Sequence, residues 1–260
     1  MALHLKRWDP TRLNPCSTIL IIGKRGSGKS VLMRDIAYHM SRSGKIDFAC
    51  GFSCTEDSNK NLGKFIPRSL VHTSYNPGVV SRIYDQQRRQ SRKGRPQNVC
   101  LILDDCMWKK SSFNGEVVRR LFFNSRHYNM CIMLLAQYCM DLNPAIRGNI
   151  DLVFVARDLV VNNREKLYRN FFGIFDTFSK FDRVMSRVTE NFTFLVLCNN
   201  DVRSNKPEDI LFYYKADVNV PNFRLGKKIY WKMDSKVGRD EDDSRMLKKG
   251  SKNISIVLEK

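Results

Sequence analysis

Ser17-Thr18-Ile19-Leu20-Ile21-Ile22 runs straight into Gly23-Lys24-Arg25-Gly26-Ser27-Gly28-Lys29-Ser30, and that loop opens onto the helix-like segment Val31-Leu32-Met33-Arg34-Asp35-Ile36-Ala37-Tyr38. Strand, glycine-rich loop and helix stand in the order of a P-loop. A chain that wraps a polyphosphate must bend tightly while aiming several backbone N–H groups at it, which glycines permit because they lack Cβ. Gly23, Gly26 and Gly28 supply that freedom, with Lys24, Arg25 and Ser27 completing the loop. Lys29 is placed to reach the β- and γ-phosphates and Ser30 to put its hydroxyl on Mg²⁺, while the positive end of the helix favours the anion. The first expectation is nucleotide binding.

Downstream, the helix is expected to end near Ser43-Gly44, with a strand over Ile46 to Ser53 and a third short strand over Ser69-Leu70-Val71-His72. Asn76-Pro77-Gly78 reads as a turn, and Val79, Val80, Ile83 and Tyr84 give the following segment amphipathic helix spacing up to Gln90. Val99-Cys100-Leu101-Ile102-Leu103 is a continuous apolar run ending in Asp104-Asp105, the pattern of a buried parallel strand whose carboxyl end reaches an active-site edge. Met130 to Ala136, Asp151 to Val155 and Phe192 to Leu197 add strands, with helix-like segments around Arg164 to Phe172 and Phe175 to Val188. This alternation predicts an α/β fold with a mainly parallel central sheet flanked by helices. Residues 1–225 read as one P-loop domain and 226–260 as a charged, loosely ordered tail, as in Gly238-Arg239-Asp240-Glu241-Asp242-Asp243.

The chain has 260 residues, 42% of them hydrophobic, enough to bury a full core in one large domain. Lys and Arg number 45 against 26 Asp and Glu, a formal net charge of +19. An excess that large points to a polyanionic partner, with nucleic acid the leading candidate. Arg88, Arg89, Arg92 and Lys93 could contact it, although a solvated helix end explains that stretch equally well. Of the cysteines Cys16, Cys50, Cys54, Cys100, Cys106, Cys131, Cys139 and Cys198, several sit inside apolar runs and read as reduced core residues in a reducing compartment. Cys50 and Cys54 have no second pair at zinc-ligand spacing, which argues against a structural zinc site. No apolar stretch approaches the roughly 20 residues of a spanning helix, so a soluble, intracellular protein is expected.

Hydrolysis needs a carboxylate that holds the metal and a group that orients the attacking water. Asp104 is the candidate metal carboxylate, together with Ser30, and Asp105 the candidate catalytic base. Gln137, at the end of the Met130 to Ala136 strand, would stand beside the nucleotide if that strand neighbours the P-loop strand. Arg126 and Arg147, on either side of the same strand in sequence, are alternatives for an arginine finger supplied by a neighbouring subunit.

With those residues in view, the chain resembles the DNA-packaging ATPases of nucleocytoplasmic large DNA viruses, the poxvirus-type branch of the FtsK/HerA superfamily. The likeness rests on Gly23 to Ser30, Phe52-Ser53 with Thr55-Glu56 and Asn61, Phe65-Ile66-Pro67, Leu101 to Asp105 and Ser125-Arg126-His127-Tyr128-Asn129. The strand ending in Gln137, Asn143-Pro144 with Arg147-Gly148-Asn149, and Asn191 to Val196 continue it, and together it covers about Cys16 to Lys215. The resemblance implies a RecA-like ATPase core using ATP and Mg²⁺, a homo-oligomeric ring around double-stranded DNA, and translocation of the genome into a capsid. Lys29, Ser30, Asp104, Asp105 and Gln137 carry over, and Arg126 is favoured over Arg147 because the family's finger tends to precede the glutamine strand. It also implies work at viral assembly sites in the virion or host cytoplasm, with capsid or membrane proteins at the packaging vertex as further partners. Asp105 departs from the glutamate common in P-loop motors, so its base would sit one methylene back. A nucleotide kinase and an ATP-binding assembly protein are the competing readings; the basic excess and the paired aspartates disfavour the kinase.

Overall fold

The computed structural model describes residues 3–106, 115–138, 142–199 and 206–236. Among these the strands are β1 (Lys6–Arg7), β2 (Thr18–Ile22), β3 (Phe48–Ser53), β4 (Val71–His72), β5 (Val99–Asp104), β6 (Met130–Ala136), β7 (Leu152–Val155), β8 (Thr193–Cys198) and β9 (Leu211–Lys215). They form one sheet in the order β1-β9-β8-β7-β2-β6-β5-β3-β4. Every pairing is parallel except those of β8 with β7 and β9. The expected mainly parallel α/β architecture is the one observed.

The longer helices are α1 (Lys29–Arg42), α2 (Pro77–Arg92), α3 (Glu116–Asn124), α4 (Val161–Phe171) and α5 (Phe178–Val188). Because side chains alternate along a strand, the buried residues of β2, β5 and β6 divide between the two faces of the sheet. Leu20, Ile22, Leu101, Leu103, Ile132 and Leu134 pack with Val80 and Tyr84 of α2, Leu121 and Phe122 of α3, and Phe181 and Met185 of α5. Ile19, Ile21, Ile102, Met133 and Leu135 meet Leu32, Met33, Ile36, Ala37 and Met40 of α1 on the other face. Each Val, Leu, Ile, Phe or Met among them contributes roughly 1.5–3 kcal/mol by leaving water. With helices on both sides, the central strands are buried along their whole length, which is why they read as unbroken apolar runs.

Local signals explain the helix boundaries. Asn76 accepts hydrogen bonds from the N–H groups of Gly78 and Val79, with Pro77 in the first turn, so α2 starts there rather than at Val79. Thr177 caps α5 through Lys180 N–H. α1 has no side-chain cap, which leaves its first N–H groups facing outward.

Three expectations change. Strand pairing near His72 is confined to Val71–His72, because Arg68–Leu70 turns as a short 3-10 helix after Pro67. β3 begins at Phe48 rather than Ile46. The chain does not loosen at Gly226: residues 228–236 form a helix whose Tyr230 ring packs 5.0 Å from that of Phe48. Asp234 accepts from Ser69 N–H at 2.7 Å, Trp231 donates to the Leu225 carbonyl at 3.1 Å, and Lys227 pairs with Asp47 at 2.8 Å. These anchors bind the segment to the sheet edge; residues 237–260 of the expected tail lie outside the described residues. Cys16, Cys50, Cys54, Cys100, Cys106, Cys131 and Cys198 are free thiols, four of them buried, and Cys139 lies outside the described residues.

Candidate active site

β2, β5 and β6 are parallel neighbours, so their carboxyl ends bring the P-loop, Asp104-Asp105 and Gln137 to one edge of the sheet. There a cavity of about 920 Å³ is lined by Lys24, Arg25, Gly26, Gly28, Lys29, Ser30, Asp104, Asp105 and Gln137, among others.

The P-loop is shaped by its glycines. Gly28 has φ +90°, a left-handed conformation that L side chains rarely adopt, and it turns the chain into α1. At Gly23 a Cβ would stand 2.4 Å from Ser27 Oγ and 2.8 Å from Ala156 Cβ, so only a hydrogen fits. Lys29 Nζ, buried, donates to the Gly23 carbonyl at 2.7 Å and the Lys24 carbonyl at 3.2 Å, curling the loop around its own amine. Burial lowers the Lys29 pKa, opposed first by Asp105 and then by Asp104. Ser27 Oγ is buried with no hydrogen-bond partner among the described residues, and Lys24 pairs with Asp158 at 3.2 Å.

Asp104 ends β5 beside Ser53, its register partner on β3, whose hydroxyl donates to it at 3.2 Å. Burial, and secondly the Asp105 charge, push the Asp104 pKa up to about 6, against the lowering effect of Ser53 and Lys29. Asp105 has φ 44°, a conformation that aspartate tolerates better than most residues, and this swings its carboxyl toward Gln137. Gln137 Nε2 lies 3.4 Å from Asp105 Oδ2. One cationic amine, two adjacent carboxylates and an amide thus share one cavity with an uncapped helix terminus.

These features fit a Mg²⁺-bound nucleoside triphosphate. The loop offers backbone N–H groups and a buried amine to phosphates, and Ser30 and Asp104 bring to the same cavity oxygen atoms that could hold a cation. Among the described residues no group of three or more His, Cys, Asp and Glu could hold a metal ion.

Arg126 and Arg147 are not in the cavity. Arg126 forms an ion pair with buried Asp151, which also accepts from Thr18 N–H at 2.8 Å, at the amino end of β2. Arg147 donates to the Leu142 carbonyl at 3.1 Å.

Several residues at the site have no role in the sequence reading. Thr55 lines the cavity, and its hydroxyl meets that of Ser53 at 3.2 Å. Glu56 is buried and accepts from Leu62 N–H at 2.9 Å and Gly63 N–H at 2.7 Å, holding the loop after β3 in place. Phe192, Phe194, Lys215, Ala216 and Val218 reach the cavity from the start of β8 and the end of β9, an antiparallel addition that no local motif announces.

A family model described as "Nephrocystin 3, N-terminal" matches residues 4–122, less than half of the chain. "Uncharacterized protein 088R" of Invertebrate iridescent virus 3 is 37% identical over 213 residues, covering 81% of this chain and 80% of that one. Among solved structures, the genome packaging NTPase B204 from Sulfolobus turreted icosahedral virus 2, in complex with ATP-gammaS, is similar with a TM-score of 0.57 at 16% identity, over 78% of this chain and 99% of that one. The crystal structure of B204, the DNA-packaging ATPase from Sulfolobus turreted icosahedral virus, gives the same TM-score, 0.57, at 16% identity over 79% of this chain and 100% of that one. At that identity the likeness is one of fold.

Proposed function

The chain belongs to the viral protein family that includes 088R of Invertebrate iridescent virus 3, and within it we propose that this protein is a Mg²⁺-dependent ATPase that drives double-stranded DNA into a capsid. The observation that carries the reading is the meeting of the P-loop, Asp104, Asp105 and Gln137 in one cavity. The net charge of +19 supports a nucleic-acid track gripped through its phosphates, as a motor indifferent to sequence requires. Its fold is also that of the packaging NTPase B204.

In this reading the Lys29 amine leaves the Gly23 and Lys24 carbonyls for the β- and γ-phosphates, and the free N–H groups around Gly26 and Gly28 take the remaining phosphate oxygens. Ser30 and Asp104 would hold a Mg²⁺ ion, which would supply neutralisation of the charge developing on the phosphates. Asp105 accepts the proton of the attacking water, and Gln137, already within reach of the Asp105 carboxylate, fixes that water's orientation. Arg126 of a neighbouring subunit in a homo-oligomeric ring completes the site. Capsid or membrane proteins at the packaging vertex would anchor the ring at viral assembly sites; among the described residues no helix is long and apolar enough to cross a membrane.

Steady-state ATP hydrolysis with Mg²⁺, with and without double-stranded DNA, tests the proposal in the intact chain, Lys29→Ala and Asp105→Asn. DNA-stimulated turnover that both variants lose supports it. Turnover indifferent to DNA, or tight binding without turnover, refutes the motor and favours a kinase or an ATP-dependent assembly protein.

A further inference from the structure

Part of the cavity lining takes no part in the phosphate chemistry. It runs from Gly28 past Phe192 and Phe194 to Lys215, Ala216 and Val218. β8 and β9 lie on one side of β2, beyond β7, whereas β6 and β5, which carry Gln137 and the aspartates, lie on the other. A nucleotide whose terminal phosphate faces Asp105 and Gln137 across the P-loop therefore points its nucleoside end toward β8 and β9.

Phe192 is the unusual residue at that end. Asn191 and Phe192 have φ 52° and 60°, and Thr193 N–H closes the turn onto the Glu190 carbonyl at 3.0 Å. Two successive left-handed residues mark a type I′ turn, whose central positions favour Asn followed by Gly. Asn191 matches that preference and Phe192 violates it, since a bulky residue there is a genuine outlier. Its ring is also not buried in the core: Phe192 is 67% exposed, whereas Phe194, two residues on, is 1% exposed. Glu190, at the first position of the turn, has its carboxylate 4.0 Å from the exposed Arg157 beyond β7. A Cβ added at Gly28 would stand 3.6 Å from Phe192 Cδ1, so the ring borders the P-loop itself. An aromatic kept in an unfavourable backbone conformation, exposed, at the mouth of a cavity is the pattern of a side chain retained for a ligand.

We propose that Phe192 is the platform on which the base of the bound nucleotide stacks, with Lys215, Ala216 and Val218 lining the same end of the cavity. This rests on the nucleotide-binding reading and adds the subsite that distinguishes a nucleoside triphosphate from a bare polyphosphate. A flat aromatic face suits any base, so Phe192 supplies affinity for the base as a class.

Calorimetric titration of the full chain with Mg²⁺–ATP and, separately, with inorganic tripolyphosphate tests it. The intact chain is expected to bind both, ATP more tightly. Phe192→Ala weakens ATP binding by about tenfold and leaves tripolyphosphate binding within about twofold, while Phe192→Trp keeps the affinity for ATP. Phe192→Gly relieves the turn and raises the melting temperature while still losing ATP affinity, which separates loss of the platform from loss of folding. Lys29→Ala loses both ligands. Unchanged ATP affinity in Phe192→Ala overturns the proposal. So does ATP binding no tighter than tripolyphosphate in the intact chain, although the phosphate site would then stand. If the intact chain binds neither ligand, the nucleotide reading fails and the base platform with it.

Discussion

Asp104→Asn is expected to make the nucleotide-free protein more stable while abolishing ATP turnover. In the folded chain the Asp104 carboxyl, buried and next to Asp105, has its pKa pushed from 3.8 up to about 6. At about 1.4 kcal/mol for each pH unit, the charged form therefore opposes folding at pH 7 by up to about 3 kcal/mol. The sign is that of a raised carboxyl. The destabilisation is full above the folded pKa near 6, shrinks as pH falls toward 3.8, and disappears below that, where folded and unfolded chains both hold the proton. Asparagine keeps an oxygen for the Ser53 hydroxyl but buries an amide that needs its own acceptor, so a gain of about 1–2 kcal/mol is expected, or about 2–8 °C in melting temperature. Thermal unfolding in a chelator at pH 7 and at pH 4.5 measures this: the gain appears at pH 7 and shrinks at pH 4.5. Asp105→Asn gives a smaller gain, because the Asp105 charge ranks second to burial among the causes. If Asp104 holds the cation as proposed, adding Mg²⁺–ATP reverses the order. A variant less stable than the intact protein at pH 7, or a difference that does not change with pH, refutes the reasoning.

Tyr214→Phe removes a hydroxyl that donates at 2.7 Å to Asp35 Oδ2, leaving that oxygen only Asp217 N–H at 3.1 Å; urea unfolding should show a loss of about 1–3 kcal/mol. Glu56→Gln puts an amide NH₂ against a backbone N–H of Leu62 or Gly63 and should cost a similar 1–3 kcal/mol by the same assay. Gly28→Ala, at φ +90°, is expected to fold less stably and to lose nucleotide binding in a titration, whereas Gly44→Ala, at φ +64° with open space around it, should be destabilised and still bind. Arg126→Ala is expected to reduce turnover by on the order of 10³ with ATP binding retained, and its melting temperature should also fall, because Asp151 is left buried without its guanidinium.

What could be read from the sequence was what local chemistry dictates. β2, β5 and β6 are buried on both faces, so each is an unbroken apolar run, and the polar residues at their carboxyl ends identify the active-site edge. The sheet's other flank was not legible in this way. β1 is two exposed basic residues, Lys6–Arg7, that pair only because β9 lies beside them. β9 is only partly buried and joins the sheet through β8, which reverses direction, and only that reversal brings Phe192 and Lys215 to the cavity. α3 could have been found from Val118, Leu121 and Phe122, whose helical spacing forms its buried face. The helix over 228–236 was hidden by the charge around it, although Tyr230 and Trp231 are the kind of anchors that a loose tail lacks.

The placement of Arg126 constrains assembly more tightly than its sequence position does. It precedes β6 and pairs with Asp151 at the amino edge of the sheet, whereas Gln137 follows β6 at the carboxyl edge. Seven strand residues separate the two edges, a span of roughly 20 Å at about 3.3 Å per residue, so Arg126 does not reach the phosphate site of its own subunit. If it is the finger, the neighbouring subunit must bring its amino edge to this carboxyl edge, a contact between two different faces that repeats head to tail and closes only as a ring. Turnover per subunit must then rise with protein concentration, and adding Arg126→Ala subunits must inhibit intact ones more than dilution does. A per-subunit rate that stays constant on dilution down to the monomer, with no excess inhibition by Arg126→Ala subunits, would rule out a finger supplied in trans and leave Arg126 as the partner that keeps Asp151 charged beside Thr18 at the start of the P-loop strand.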